Sequence, residues 1–216
     1  MTQAKICGLS TPGAVDASLQ GGADYLGFVF FPASPRAVTP GAAARLAEPA
    51  RGRSKVVALL VDPSADLVAE VVEALRPDLL QLHGRETPER MAALRDTHGL
   101  PVIKALGVRQ GADLDAAPAY EPVVDHLMLD AKAPEGADRP GGLGERFDWT
   151  LLAGRRFVRP WFLAGGLTPD NVAEAVRITG APMVDVSSGV EHAPGVKDPA
   201  LIAAFLAAVR QVPGKP

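Results

Sequence analysis

Eight short apolar runs alternate with eight Ala-rich segments along the 216 residues, and this alternation narrows the fold more than any other feature. The runs are predicted strands at 4–7, 25–31, 56–61, 79–82, 102–105, 124–129, 161–164 and 183–186. Predicted helices follow them at 11–22, 40–50, 65–75, 88–97, 112–119, 147–152, 169–179 and 199–212, with 112–119 weak and 147–152 short. Strands that are nearly continuous apolar runs are buried on both faces. Strict alternation with helices builds a parallel sheet with right-handed crossovers. The repeat is roughly 25 residues, near the minimum for one unit of an eight-fold barrel of about 200–250 residues. A doubly wound open sheet usually carries a G-x-G-x-x-G turn after its first strand, and Cys7-Gly8-Leu9-Ser10 is not one. The expected fold is α/β, a (βα)8 TIM barrel, as one domain over 1–216. No Pro/Ser-rich linker divides it, and the Gly/Pro-rich stretch 132–145 after strand six reads as an active-site loop.

Composition serves mainly to exclude. Hydrophobic residues at 47% and charged residues at 22% rule out a disordered chain. The net charge of -3 and the lack of a long Lys/Arg run argue against nucleic acid as a partner. No apolar run is long enough to span a bilayer, and the first ten residues carry no secretion pattern. The one cysteine allows no internal disulfide, so a reducing cytoplasm is the expected location.

In such barrels functional side chains sit at the C-terminal ends of strands and in the loops that follow. The polar residues there are Cys7, Arg36, Asp62, His83, Asp130, Asp185 and Ser187. The loops after strands seven and eight are the strongest physical signal. In Ala164-Gly165-Gly166-Leu167-Thr168-Pro169, the glycines let backbone N–H groups approach a ligand. Thr168 is the predicted N-cap there and Pro169 the first helical residue. Ser187-Ser188-Gly189-Val190-Glu191 again offers hydroxyls and a glycine where a short helix can start. Together the two loops suit a phosphate, at Gly166, Ser188 and Gly189, although each alone could simply be a tight turn.

The remaining positions each have two readings. Cys7 is either an inert buried hydrophobe or a thiol facing the barrel mouth, with Lys5 two residues back on the same side to favour its thiolate. Asp130 either caps the next segment or protonates an oxygen. Arg36 is either a solvated loop residue or a planar fork for a carboxylate. His83 is either structural or a substrate contact. The four histidines show no metal-ligand spacing, and no metal is expected.

Several blocks, taken in order, resemble the phosphoribosylanthranilate isomerase family of tryptophan biosynthesis. They are Lys5-Ile6-Cys7-Gly8, the run from Gly22 to Phe30 (GADYLGFVF), Ser34-Pro35-Arg36, Gln81-Leu82-His83-Gly84, Phe147-Asp148-Trp149 and Leu163-Ala164-Gly165-Gly166-Leu167. Val184-Asp185-Val186-Ser187-Ser188-Gly189-Val190-Glu191 and Pro194-Gly195-Val196-Lys197-Asp198 complete the set. The resemblance covers essentially the whole chain and implies a barrel of the ribulose-phosphate-binding type, present as monomer or homodimer. It implies a cofactor-free Amadori rearrangement of N-(5-phosphoribosyl)anthranilate to 1-(2-carboxyphenylamino)-1-deoxyribulose 5-phosphate. By position it makes Asp130 the general acid and Cys7 the general base. Arg36 matches the residue near the anthranilate carboxylate, and Gly166, Ser188 and Gly189 match the phosphate site. His83 and Asp185 are expected to contact substrate, Asp185 by holding its amine or by shaping the neighbouring pKa values. One departure stands out. Where the family often has Gly-Gly-Thr-Gly or Gly-Gly-Ser-Gly, this chain has Gly141-Gly142-Leu143-Gly144 and lacks the hydroxyl.

Other barrels suit the residues less well. A sugar-phosphate epimerase would bring metal-ligating histidines and carboxylates. Indole-glycerol-phosphate synthase would bring a Lys and Glu pair and leave Cys7 without a task. A non-catalytic barrel that binds a phosphometabolite would need neither acid nor base.

Overall fold

A computed structural model describes residues 1–134, 136–137 and 139–212. Eight parallel strands close into a barrel in sequence order. They are β1 (Gln3–Cys7), β2 (Tyr25–Val29), β3 (Lys55–Leu60), β4 (Leu79–Leu82), β5 (Val102–Val108), β6 (His126–Ala131), β7 (Trp161–Leu163) and β8 (Met183–Val186). The helices are α1 (Pro12–Gln20), α2 (Pro40–Ala47), α3 (Ala65–Leu75), α4 (Pro88–His98), α5 (Ala117–Tyr120), α6 (Val172–Thr179) and α7 (Pro199–Arg210). A two-stranded hairpin, β9 (Glu191–Ala193) with β10 (Val196–Lys197), follows β8. Among the described residues no helix is long and apolar enough to cross a membrane.

The helix starts follow one local rule. Thr11, Thr39, Thr87 and Asp198 each stand before a proline, and each side chain accepts a hydrogen bond from a first-turn N–H. The cap satisfies an orphan donor, and proline supplies a helical φ without needing one. Strand starts show a second rule. Asp24, Asp78 and Asp125 accept from the N–H of Ala4, Val56 and Val102, at 2.8, 2.6 and 2.9 Å, and so tie the bottom of the barrel together.

The structure departs from the expected elements where helices were weak. Residues 112–119 form a 3-10 turn (Gly111–Ala116) followed by the single turn of α5, and 147–152 reduces to a 3-10 turn at Trp149–Leu152. The helix after β7 begins at Val172, with Asn171 rather than Thr168 in the cap position. The cause is local. Asn171 Oδ1 accepts from the Thr168 N–H at 2.8 Å and its Nδ2 donates to Gly166 O at 2.9 Å, which holds 166–171 as a turn.

Side chains alternate inward and outward along each strand. The inward set is apolar at its lower levels, where Tyr25, Val57, Leu79, Ile103, Met128, Phe162 and Met183 pack together. At and above that level β1, β4, β6 and β8 carry Lys5, Cys7, Gln81, Asp130 and Asp185. The barrel is thus a filled core at one end and a polar cup at the other. Gly27 makes room for the cup, because a Cβ there would lie 3.0 Å from both Cys7 Sγ and Lys5 Nζ.

Candidate active site

One cavity opens at the C-terminal ends of the strands, with about 810 Å³ of empty space including its mouth. Cys7, Arg36, His83, Asp130, Gly166, Asp185, Ser188 and Gly189 all line it. Asp62 does not. Its φ is +44°, and its carboxylate accepts from Arg85 N at 2.6 Å, away from the cavity. Of the stretch 132–145, Ala133 and residues 139–145 face the cavity, Leu143 among them, while Glu135 and Asp138 lie outside the described residues.

Closure of the barrel between β1 and β8 puts Lys5 opposite Asp185 in register. Lys5 Nζ donates to Asp185 Oδ1 at 2.8 Å, and the lysine is fully buried. Burial alone would lower the Lys5 pKa, but Asp185 and Cys7 outweigh it and raise it above the ordinary lysine value. Cys7 is buried beside this pair. The expectation that Lys5 favours the thiolate is right in direction but incomplete. Burial is the largest influence and pushes the Cys7 thiol up, Lys5 pulls it down, and Asp185 pushes it up again, so the net shift is upward.

Asp130, at the end of β6, accepts the Ala131 N–H at Oδ1 (2.8 Å) and faces His83 Nε2 through Oδ2 at 3.2 Å. Gln81 Nε2 stands 3.4 Å from His83 Nδ1. When Gln81 donates there, Nδ1 is the acceptor and the ring proton sits on Nε2, directed at Asp130. Gln81 was legible only as part of a motif. Its place in this chain of contacts follows from β4 alternation, which turns residues 81 and 83 to the same face.

Arg36 is not a solvated loop residue. It is 4% exposed, and its Nε and Nη2 donate to Glu191 Oε1 and Oε2 at 2.7 and 2.9 Å. Nη2 also donates to Gly142 O at 3.1 Å. Lys197 Nζ donates to Glu191 Oε1 at 2.7 Å, Ser187 O at 2.9 Å and Ser187 Oγ at 3.2 Å. Burial would raise the Glu191 pKa, but Arg36 and Lys197 outweigh it and hold the carboxyl below its ordinary range. Neither Glu191 nor Lys197 stood out in the sequence beyond the blocks that contain them.

The loops after β7 and β8 interlock. Gly165 and Gly166 adopt φ of +87° and +61°, which glycine takes without strain. At Gly189 a Cβ would fall 1.8 Å from Leu167 O, so only glycine lets the two loops meet. Ser188–Val190 forms a 3-10 turn beside them. The cavity therefore carries a glycine-rich wall from two loops, a buried arginine, and a thiol and a carboxyl at the ends of β1 and β6.

Residues 4–208 match the family profile described as N-(5'phosphoribosyl)anthranilate (PRA) isomerase. The chain is 57% identical over 209 residues to the N-(5'-phosphoribosyl)anthranilate isomerase of Caulobacter vibrioides, covering 96% of this chain and 95% of that one. Phosphoribosyl anthranilate isomerase from Thermotoga maritima superposes with a TM-score of 0.86 at 35% identity, covering 97% of this chain and 99% of that one. A structure of such an isomerase in complex with reduced 1-(o-carboxyphenylamino)-1-deoxyribulose 5-phosphate superposes with a TM-score of 0.84 at 32% identity, with the same coverage. The chain belongs to the N-(5'-phosphoribosyl)anthranilate isomerase family.

Proposed function

We propose that this chain isomerises N-(5-phosphoribosyl)anthranilate to 1-(2-carboxyphenylamino)-1-deoxyribulose 5-phosphate, with Asp130 as general acid and Cys7 as general base. The observation that carries the assignment of roles is that these two groups line one cavity, between the interlocked loops at Gly166, Ser188 and Gly189 and the buried Arg36. Those loops bind the phosphate and Arg36 binds the anthranilate carboxylate, so the sugar lies between acid and base.

Asp130 gives its proton to the furanose oxygen. The C1–O bond breaks and the nitrogen lone pair forms a C1=N iminium. The Ala131 N–H and His83 Nε2–H stabilise the carboxylate that remains. Cys7 as thiolate then removes the C2 proton, the electrons form the C1=C2 enolamine, and the nitrogen returns to neutral. In the tautomerisation C1 takes a proton from the Cys7 thiol, the enol O–H gives its proton to the Asp130 carboxylate and its electrons form the C2=O ketone, which restores both acid and base. The iminium acidifies the C2–H, so a minor thiolate population suffices as base, and Lys5 supports it. The oxidation at C2 and the reduction at C1 both lie within the substrate, and Asp130 and Cys7 move only protons, so no cofactor takes part. Asp185 holds Lys5 in place and borders the substrate amine, and His83 contacts the sugar beside Asp130.

The same reading treats 1–216 as one catalytic barrel, monomeric or homodimeric, acting on a small phosphoribosyl substrate without nucleic acid or membrane. It places the chain in a reducing cytoplasm, because the lone thiol must stay reduced to act as base. The test is direct. Purified chain mixed with freshly formed N-(5-phosphoribosyl)anthranilate should quench the anthranilate-type fluorescence at a rate proportional to enzyme. Binding without conversion would overturn the catalytic reading in favour of a binding barrel.

A further inference from the structure

The reaction as drawn leaves two buried ionic side chains without a task. Glu191 and Lys197 sit opposite each other on the β9–β10 hairpin, with side chains 3% and 1% exposed. Burying two charges is costly unless their partners are well placed. Here the partners outside the hairpin, Arg36 and Ser187, both line the site. Glu191 takes both Arg36 donors on one edge of the guanidinium and also accepts from Gly195 N at 3.1 Å. Lys197 reaches Glu191 and Ser187, and Ser187 Oγ donates in turn to Cys7 O at 3.2 Å. The hairpin thereby ties the Arg36 loop, the loop after β8 and the end of β1 into one unit.

We propose that Glu191 and Lys197 are positioning residues for the substrate carboxylate: Glu191 sets the orientation of Arg36, and Lys197 restores the positive charge that Glu191 would otherwise cancel. The geometry follows from the fork. With Nε and one Nη2 proton on Glu191, and the other Nη2 proton on Gly142 O, Nη1 is the nitrogen with no acceptor among the described residues. Nη1 also lies against Gly142, where a Cβ would come within 2.7 Å of it. A carboxylate therefore has one defined edge to address. An Arg36–Glu191 pair alone is neutral and attracts an anion weakly. Two cations around one carboxylate leave a single net positive charge, held in a site where water screens it little.

This inference rests on the reading that Arg36 binds the anthranilate carboxylate, and the test separates the two. Binding of two reduced product analogues, one with the ring carboxylate and one with an unsubstituted ring, is measured by calorimetry. The proteins are wild type, Lys197→Met, Lys197→Arg and the double variant Glu191→Gln/Lys197→Met, with inorganic phosphate as internal control. Wild type should prefer the carboxylate analogue by about tenfold or more, the scale of one charged hydrogen bond. Lys197→Met should cut that preference to about threefold or less, Lys197→Arg should keep it, and phosphate affinity should move less than the preference does. The double variant removes the buried pair of charges together, which protects folding, and leaves Arg36 charged but held by one acceptor oxygen instead of two. It should retain an intermediate preference. A full preference in Lys197→Met would overturn the charge role given to Lys197, and a full preference in the double variant the orienting role given to Glu191. If Lys197→Met does not fold, a wild-type preference in the double variant alone overturns the inference. No preference in wild type would instead overturn the role given to Arg36.

Discussion

Replacing Lys5 with methionine separates two jobs that one ammonium performs. Lys5 is fully buried and donates at 2.8 Å to Asp185, which is 8% exposed. Methionine fills much the same volume but leaves the Asp185 carboxylate buried and unpaired. Removing one partner of a buried pair costs about 3–5 kcal/mol. A chain of this length loses about 2–4 °C per kcal/mol, so Tm should fall by roughly 6–20 °C. Lys5 is also the largest influence pulling the Cys7 thiol down. Without that cation the thiol holds its proton to higher pH, so the rising limb of kcat/KM against pH should move to higher pH. The double variant Lys5→Met/Asp185→Asn removes the orphaned charge and should recover most of the lost Tm. It should not recover the full acid-side limb, because the cation beside Cys7 is still missing. Thermal unfolding followed by circular dichroism, and initial rates across pH, read the two effects independently. A Lys5→Met protein that melts like wild type, with an unmoved limb, would refute the reasoning about this triad.

Stability should decline above about pH 9, because folded Cys7, Lys5, Tyr25 and Tyr120 keep their protons to higher pH than the unfolded chain does and outnumber Lys197, which burial shifts the opposite way; denaturant titrations at pH 7, 9 and 10.5 check the sign. Gly189→Ala should lower affinity for a phosphate-bearing product analogue by about tenfold and cost about 1–3 kcal/mol, since a Cβ 1.8 Å from Leu167 O forces the two loops apart; calorimetry and urea unfolding measure each. Lys104→Met should destabilise by about 3–5 kcal/mol, because Lys104 Nζ pairs at 2.7 Å with Glu86 in a buried site outside the cavity, and with Glu86→Gln added most of the loss should return in urea unfolding.

Much of the barrel could be read before any coordinates because its signals are local. Alternating apolar runs, Thr-Pro and Asp-Pro helix starts and the glycine pairs depend on neighbours a few residues away. Boundaries of α3, β4 and β8 match the expected ones, while β5 and β6 each run on past their expected ends to Val108 and Ala131. One miss has a local cause: Asn171 displaced Thr168 as the cap through two side-chain hydrogen bonds that composition does not announce. At the site, residue types and strand ends pointed to Cys7, Asp130 and the loop glycines. What they could not reveal was pairing at long sequence separation. Arg36 meets Glu191 across 155 residues, and Lys5 meets Asp185 across 180. Those contacts turned a loop arginine into a buried fork, and turned a thiol expected to be activated by Lys5 into one held up by burial and only partly relieved.

The account stands on Cys7 and Asp130 working as base and acid, and single-turnover rates of Cys7→Ser and Asp130→Asn test it most directly. With enzyme in excess over N-(5-phosphoribosyl)anthranilate, fluorescence loss reports the chemical steps. Each variant should slow that phase by about 10²–10⁴-fold, the usual worth of a positioned acid or base, while still binding the reduced product analogue. Rates within about tenfold of wild type for either variant would contradict the assignment of that residue.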